Sequence, residues 1–203
     1  MSIRSRVLNI ALALLCVSFL AAAPARAGGD AQGLISDLGR RAIEVLTQKK
    51  ISDSQREQNF RRLFDEGFDV NSVSRFVLGR YWNTSTEPQR REFVKLFEAY
   101  VVKAYAVRFS EYTDQQFKVT GSRPQGDDES LVTSEIIRPE GGPPIKVDWR
   151  VVSAAGAPKI TDVVVEGVSM AITQRDQFAS IIQRNGGEVD ALLKLLREKT
   201  GQG

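Results

Sequence analysis

The spacing of apolar residues changes twice along this chain, and those two changes confine it to a fold that segregates helices from strands. Between Ala31 and Gln48, Leu34, Leu38, Ala42, Val45 and Leu46 recur every third or fourth position, the signature of one helical face. Ser52-Asp53-Ser54-Gln55 is a capping-box pattern that opens a second helix through Phe60, Leu63 and Phe64, with Gly67 breaking it. Asp69 caps a third helix carrying Val70, Val73, Phe76 and Val77, and Gly79 lies near its end. Thr86-Glu87-Pro88-Gln89 starts a fourth, the longest, running to about Tyr112. The period then shortens to two. Phe117 and Val119 alternate with Lys118 and Thr120 before turn residues Gly121 to Pro124. Leu131 to Ile137 forms a second strand, and Ile145, Val147, Trp149 and Val151 alternate strictly with Lys146, Asp148, Arg150 and Val152. Ala155-Gly156-Ala157-Pro158 turns into a fourth strand, Lys159 to Glu166. From Ala171 the helical period returns through Phe178, Ile181 and Ile182, and after Asn185-Gly186-Gly187 through Val189, Leu192, Leu193 and Leu196. About six helices around a four-stranded antiparallel meander, buried on one face, is the expected α+β architecture.

The amino terminus obeys a different rule. Arg4 and Arg6 precede an apolar run from Val7 to Ala23, and Ala25-Arg26-Ala27 supplies the small residues that a signal peptidase reads. Residues 1–27 are therefore expected to be a cleaved secretory leader, with 28–203 a single exported domain. Leu14-Leu15-Cys16 lacks the small residues that a lipoprotein acceptor cysteine requires. Removing 27 of the 203 residues leaves 176, a chain that buries roughly 70% of its unfolded surface. Three of the 28 basic residues leave with the leader and none of the 25 acidic ones, so the remaining chain carries 25 of each sign. The apparent +3 charge thus gives no reason to expect nucleic acid as a partner. Cys16 is the sole cysteine, and the chain has no histidine. A disulfide framework, a thiol nucleophile, a histidine triad and the usual zinc ligand sets are all excluded from the mature chain.

Five features could still hold chemistry. Ser169, in Gly167-Val168-Ser169-Met170-Ala171, lacks the second glycine of a nucleophile elbow, and a serine bonded to the backbone at a strand-to-helix corner is the favoured reading. Asp162 and Glu166 are an even number apart, which on a regular strand puts them on one face, either as an acid–base pair or as solvated carboxylates. Asp127-Asp128-Glu129 reads as a solvated turn. The arginine pairs Arg61-Arg62 and Arg90-Arg91 are most simply exposed helix charges, although either could meet an acidic partner or a phosphate. On the fourth helix, Phe93, Leu96, Phe97, Tyr100, Val101, Ala104 and Tyr105 cover one broad face, which is either ordinary core or the wall of a cavity.

Taken together, Val77-Leu78-Gly79-Arg80-Tyr81-Trp82, the start Thr86 to Arg90, the aromatic face that follows, and the run Asp162 to Met170 leading to Arg175 and Phe178 carry a likeness. In this combination and order the chain resembles the MlaC family of periplasmic lipid-binding proteins, also called toluene-tolerance proteins. The resemblance implies a curved sheet and helices enclosing an apolar cavity for acyl chains. It implies a phospholipid carrier moving between an outer-membrane lipoprotein complex and an inner-membrane ABC transporter with an MCE-domain subunit. One branch is associated with hopanoids, which makes a polycyclic lipid the alternative cargo. The lipid-facing candidates are then Phe76, Phe93, Phe97, Tyr100, Val101 and Tyr105 from the helices, with Val147, Trp149, Val163, Val165, Val168 and Met170 from the strand side. No catalytic residue, metal or cofactor is implied. Two chains call for a cavity near the top of the roughly 300–1,000 Å³ range of ordinary pockets. Two other readings compete: a carboxylate enzyme using Asp148, Asp162 and Glu166, and a protein-binding module with a closed core.

Overall fold

The computed structural model describes residues 26–48, 51–109, 115–153 and 156–202. All but the last two residues of the expected leader, the stretch around Tyr112 and the turn residue Ala155 lie outside them. Seven helices are present among the described residues: α1 (Arg26–Thr47), α2 (Asp53–Gly67), α3 (Val70–Leu78), α4 (Tyr81–Thr84), α5 (Glu87–Phe109), α6 (Met170–Arg184) and α7 (Val189–Thr200). Between α5 and α6 run β1 (Gln116–Pro124), β2 (Glu129–Ile137), β3 (Ile145–Val152), β4 (Lys159–Val165) and the two-residue β5 (Val168–Ser169). The sheet is an antiparallel meander in the order β1-β2-β3-β4-β5. This is the expected α+β arrangement, with three differences. A fifth, very short strand precedes α6, a single helical turn separates α3 from α5, and Gly121 to Pro124 continue β1 instead of turning.

The helix starts form as their sequences dictate. Ser52 Oγ accepts from Gln55 N at 3.2 Å, and Asp69 Oδ1 accepts from Ser72 N at 3.0 Å. Thr86 and Gln89 close a reciprocal box: Thr86 N donates to Gln89 Oε1 at 2.9 Å, and Gln89 N donates to Thr86 Oγ1 at 3.4 Å. Gly79 ends α3 with φ of 58°, a conformation costly for a residue with a Cβ.

Two bulges shape the sheet. The β1–β2 register skips Thr120, and the β3–β4 register skips Thr161. Each extra threonine donates its hydroxyl to the carbonyl of the facing strand, Thr120 to Thr133 O at 3.2 Å and Thr161 to Arg150 O at 3.5 Å. Bulges bend the strands that carry them and increase their twist.

The interior divides into two clusters. In the helical one, Phe93, Leu96 and Phe97 of α5 meet Val73, Val77 and Leu78 of α3, Phe178 and Ile182 of α6, and Leu192, Leu193 and Leu196 of α7. Phe178 stands edge-on to Phe93 and Phe97, with centroids 5.9 and 6.3 Å away, the favoured aromatic geometry. In the second cluster, Ala31 and Ile35 of α1 pack on Val132, Val151 and Ile160 of the sheet. The α2–α3 junction joins the two halves. Phe68 bridges Ile160, and Asp69 N donates to Ile160 O at 3.0 Å, covering an otherwise open edge of β4.

Ser74 is a local misfit in the helical half. It is fully buried, and among the described residues its hydroxyl has no hydrogen-bond partner. Replacing a buried unsatisfied hydroxyl within a helix by a methyl group removes a desolvation cost and improves helix propensity. Ser74→Ala is expected to raise stability by about 1 kcal/mol, read as a higher urea midpoint with an unchanged slope. A lower midpoint would mean that the hydroxyl is satisfied in solution.

Candidate functional site

The site begins with what the two bulges do to side-chain direction. In a regular strand Ile160 and Val163 would point to opposite faces. The extra Thr161 restores them to one face, so that Val151 pairs with Ile160, Trp149 with Val163 and Val147 with Val165. Val165 pairs in turn with Val168. Across β2 the same face carries Val132 beside Trp149, Ser134 beside Val147 and Ile136 beside Ile145. On β1 it carries Phe117 and Val119. The opposite face carries the charges, with Lys118 paired to Glu135 and Arg150 beside Asp162, alongside Leu131 and Val164.

One side of the sheet is therefore a continuous apolar surface, crossed at the β1–β2 side by α1 and flanked at β4 by α3 and α6. Its polar atoms are satisfied internally. Trp149 Nε1 donates to Ser134 Oγ at 2.8 Å, and Ser134 Oγ donates to Val147 O at 3.2 Å. The indole also meets Phe117 edge-on at 6.2 Å. Gly39 on α1 sits directly against that phenyl ring, where a Cβ would come within 2.3 Å of it. Helix and ring can approach this closely only because residue 39 has no side chain.

The expected lipid-facing residues divide. From the strand list, Val147, Trp149, Val163, Val165 and Val168 share the apolar face. Val147 is buried, Trp149, Val163 and Val165 are half-buried, and Val168 is 53% exposed. Met170, half-buried, begins α6. The helix list does not join them as a group. Phe93 and Phe97 are sealed in the helical cluster, and Tyr100 and Val101 pack half-buried on its margin, with Tyr100 6.1 Å from Phe178. Tyr105 is half-buried farther along α5. Phe76 is exposed on α3. The reason is packing: α5 lies on α7, α3 and α2, whereas the helices against the sheet are chiefly α1, α6, α3 and α2. Phe117, Val119, Ile136 and Ile145 belong to the same face and were not among the lipid-facing candidates. The period-two pattern that identified Val147 and Trp149 also marks Phe117, Val119 and Ile145.

The carboxylates do not form a reactive pair. Asp162 Oδ1 accepts from Val163 N at 2.8 Å and Ala171 N at 3.0 Å, while Oδ2 accepts from the Ser169 hydroxyl at 2.7 Å. Ser169 Oγ accepts in turn from Ile172 N at 3.1 Å, so it caps α6 and has the structural role favoured from sequence. Glu166 leaves the strand altogether. It occupies the tight turn into β5 at φ of 49°, with Gly167 at 81°, and its carboxylate accepts from Lys146 N. The expectation that Asp162 and Glu166 share a strand face fails because β4 ends at Val165. Asp148 accepts from Thr133 Oγ1 at 2.6 Å and lies 3.4 Å from Lys146 Nζ. One arginine of each pair is more engaged than an exposed charge would be, whereas Arg62 and Arg91 are exposed as expected. Arg90 Nε donates to Trp82 O at 2.7 Å with its guanidinium over the indole, and Arg61 bonds Glu98.

Two depressions open on the described surface. One, of about 560 Å³, is lined by Arg80, Tyr81, Thr84, Gln183 and Gly187, away from the apolar face. The other, of about 320 Å³, lies between α1 and β1, with Phe117 and Val119 in its wall beside Ser36, Arg40, Ile43 and Glu44. Its volume is at the lower end of ordinary ligand sites.

A family model described as MlaC protein matches residues 36–198. The chain belongs to the MlaC family. The intermembrane phospholipid transport system binding protein MlaC of Haemophilus influenzae is 27% identical over 129 residues, 62% of this chain and 59% of that protein. The chain thus matches rather less than two thirds of that relative's length. The toluene tolerance protein ttg2D of Pseudomonas putida is 23% identical over 155 residues, 72% of each chain. Among solved structures, a phospholipid-binding protein from Ralstonia solanacearum, determined in complex with a phospholipid, superimposes with a TM-score of 0.73. That alignment covers 85% of this chain and 98% of the other at 22% identity, so the two share a fold. Among the described residues no helix is long and apolar enough to cross a membrane.

Within this MlaC fold Asp162 is the corner that fastens the sheet to α6. Its side chain is 10% exposed and engages two backbone amides and a hydroxyl. Asp162→Ala strands all three donors and is expected to cost about 3 kcal/mol, measured by urea unfolding. A loss below about 0.5 kcal/mol would show that the corner holds without it.

Proposed function

We propose that this chain is a periplasmic carrier of phospholipid, holding the acyl chains against the apolar face of its sheet. The observation that carries the reading is that face: aligned by two bulges, lined by Trp149, Val163 and Val165, and only half covered. Membership of the MlaC family supports it, as does the phospholipid named for the Ralstonia protein of the same fold. The leader would send residues 28–203, a single domain, to the periplasm. There the carrier would exchange lipid with an outer-membrane lipoprotein complex and an inner-membrane ABC transporter bearing an MCE domain.

The energetics suit a carrier. Each methylene moved out of water gains roughly 0.8 kcal/mol, so two long chains gain on the order of 20 kcal/mol. A bilayer offers nearly the same, and the protein only has to match the membrane, leaving direction to its partners. The half-buried residues of the sheet face are where acyl chains replace solvent. The sealed aromatics Phe93 and Phe97 contribute rigidity to the helical half. No chemical step is required, and the carboxylates Asp148, Asp162 and Glu166 are each committed to separate structural bonds.

Native mass spectrometry of gently purified mature protein is expected to find close to one phospholipid per chain. Val163→Glu, which sets a charge on the apolar face, should abolish that lipid while leaving the far-ultraviolet circular dichroism unchanged. A hopanoid in place of the phospholipid would change the cargo. Protein that is repeatedly empty and also fails to extract lipid from vesicles would overturn the carrier reading in favour of a closed binding module.

A further inference from the structure

Helix α6 buries Ala171, Phe178 and Ile182 along one stripe. Steps of three and four residues put position 175 in that stripe, between Ala171 and Phe178, where an apolar side chain is the norm. The residue there is Arg175. Its stem lies along Gly79, where a Cβ would be 3.5 Å from both its Cγ and its Cδ. Its guanidinium carbon is 4.9 Å from the centre of the Phe76 ring. The ring faces the cation without neutralising it. Among the described residues the one carboxylate within reach is that of Asp176, 3.5 Å from Nε and 69% exposed. A pair of that kind contributes little. Arg197 differs, holding Glu92 at 2.6 Å, and so does Arg41, holding Glu66 at 2.6 Å.

The position of this cation matters as much as its state. Val168 pairs with Val165 on the apolar face and leads directly into α6. Ile172, 45% exposed, stands one turn before Arg175, and Phe76, 43% exposed, lies beneath it. At 1.5 Å per residue, Arg175 is about 8 Å along the helix from Met170. A path of exposed apolar side chains thus runs from the sheet face to a prepositioned and nearly unpartnered guanidinium.

We infer that Arg175 binds the phosphodiester of the carried lipid, making the site selective for lipids with a phosphate next to the glycerol. This rests on the carrier reading above and adds the residue that recognises the headgroup phosphate. A guanidinium donates two parallel N–H bonds to a phosphate, a geometry that an ammonium cannot match. Because Gly79 and Phe76 already hold the side chain, little conformational freedom is lost on binding. A neutral lipid leaves the cation with water and Asp176 only. In this respect Arg175 is a specificity residue, and the apolar face supplies the bulk of the affinity.

The test compares mature wild type, Arg175→Ala and Arg175→Lys, each mixed with detergent micelles containing either dioleoylphosphatidylglycerol or dioleoylglycerol. Bound lipid is counted by mass spectrometry. Wild type is expected to favour the phospholipid by about tenfold, Arg175→Ala to lose that preference with dioleoylglycerol capture unchanged, and Arg175→Lys to retain part of it. A purely structural arginine would affect both lipids alike, and that result overturns the inference. Equal preference in wild type and Arg175→Ala overturns it too, while leaving the carrier reading intact. Wild type that takes up neither lipid overturns the carrier reading itself. A rise in Tm with inorganic phosphate in wild type, without any lipid preference, would reassign the site to free phosphate.

Discussion

An antiparallel sheet that is apolar on one side only must have that side covered, and the rest of this molecule is arranged around that requirement. The face is continuous because Thr120 and Thr161 are inserted into β1 and β4 without partners. Without the second insertion Ile160 would fall on the face opposite to that of Val163 and Val165. With it, Ile160, Val163 and Val165 line up beside Val151, Trp149 and Val147. Covering then proceeds from two directions, α1 over the β1–β2 side and α3 with α6 at β4. Between them the face is half-buried, and a surface of that kind is suited to a removable apolar ligand.

The helical half is built on a different principle. Phe93, Phe97 and Phe178 form a closed aromatic cluster with no polar atom to satisfy, backed by the leucines of α7. It is rigid where the sheet face is incompletely filled. Asp162 ties the two halves together by holding the amide of Ala171 and the hydroxyl of Ser169 from within β4. Phe68 and Asp69 perform a similar task on the other part of that strand. In the proposed carrier role, the closed helical cluster would be the fixed frame beside the partly covered sheet face.

Much of the fold was legible because it is written locally. The capping residues Ser52, Asp69, Thr86 and Ser169 mark helix starts through bonds spanning three residues. The alternation from Ile145 to Val152 locates β3 to the residue. Errors arose where geometry departs from its ideal period. Gly121 to Pro124 read as a turn because a bulge displaced the alternation by one position. Glu166 read as a strand residue because nothing local shows that it adopts a positive φ. The packing of the helical candidates was not legible for another reason. Phe93 and Phe97 are apolar at helical spacing, and that spacing is the same whether the opposing element is a sheet, a ligand or another helix.

By itself the sequence determined the class of the molecule and its chemical limits. Two changes of apolar period dictate α+β, and a chain without histidine, whose one cysteine lies in the expected leader, is poorly equipped for most catalysis. Only the tertiary structure decided which apolar residues form the face and which are sealed. It also decided that Asp162 is a fastening and not an acid, and that Arg175 lies over Phe76 beside Gly79. The physical reason is that spacing fixes the direction of a side chain relative to its own element. Its function depends on what another element, distant in sequence, places opposite it.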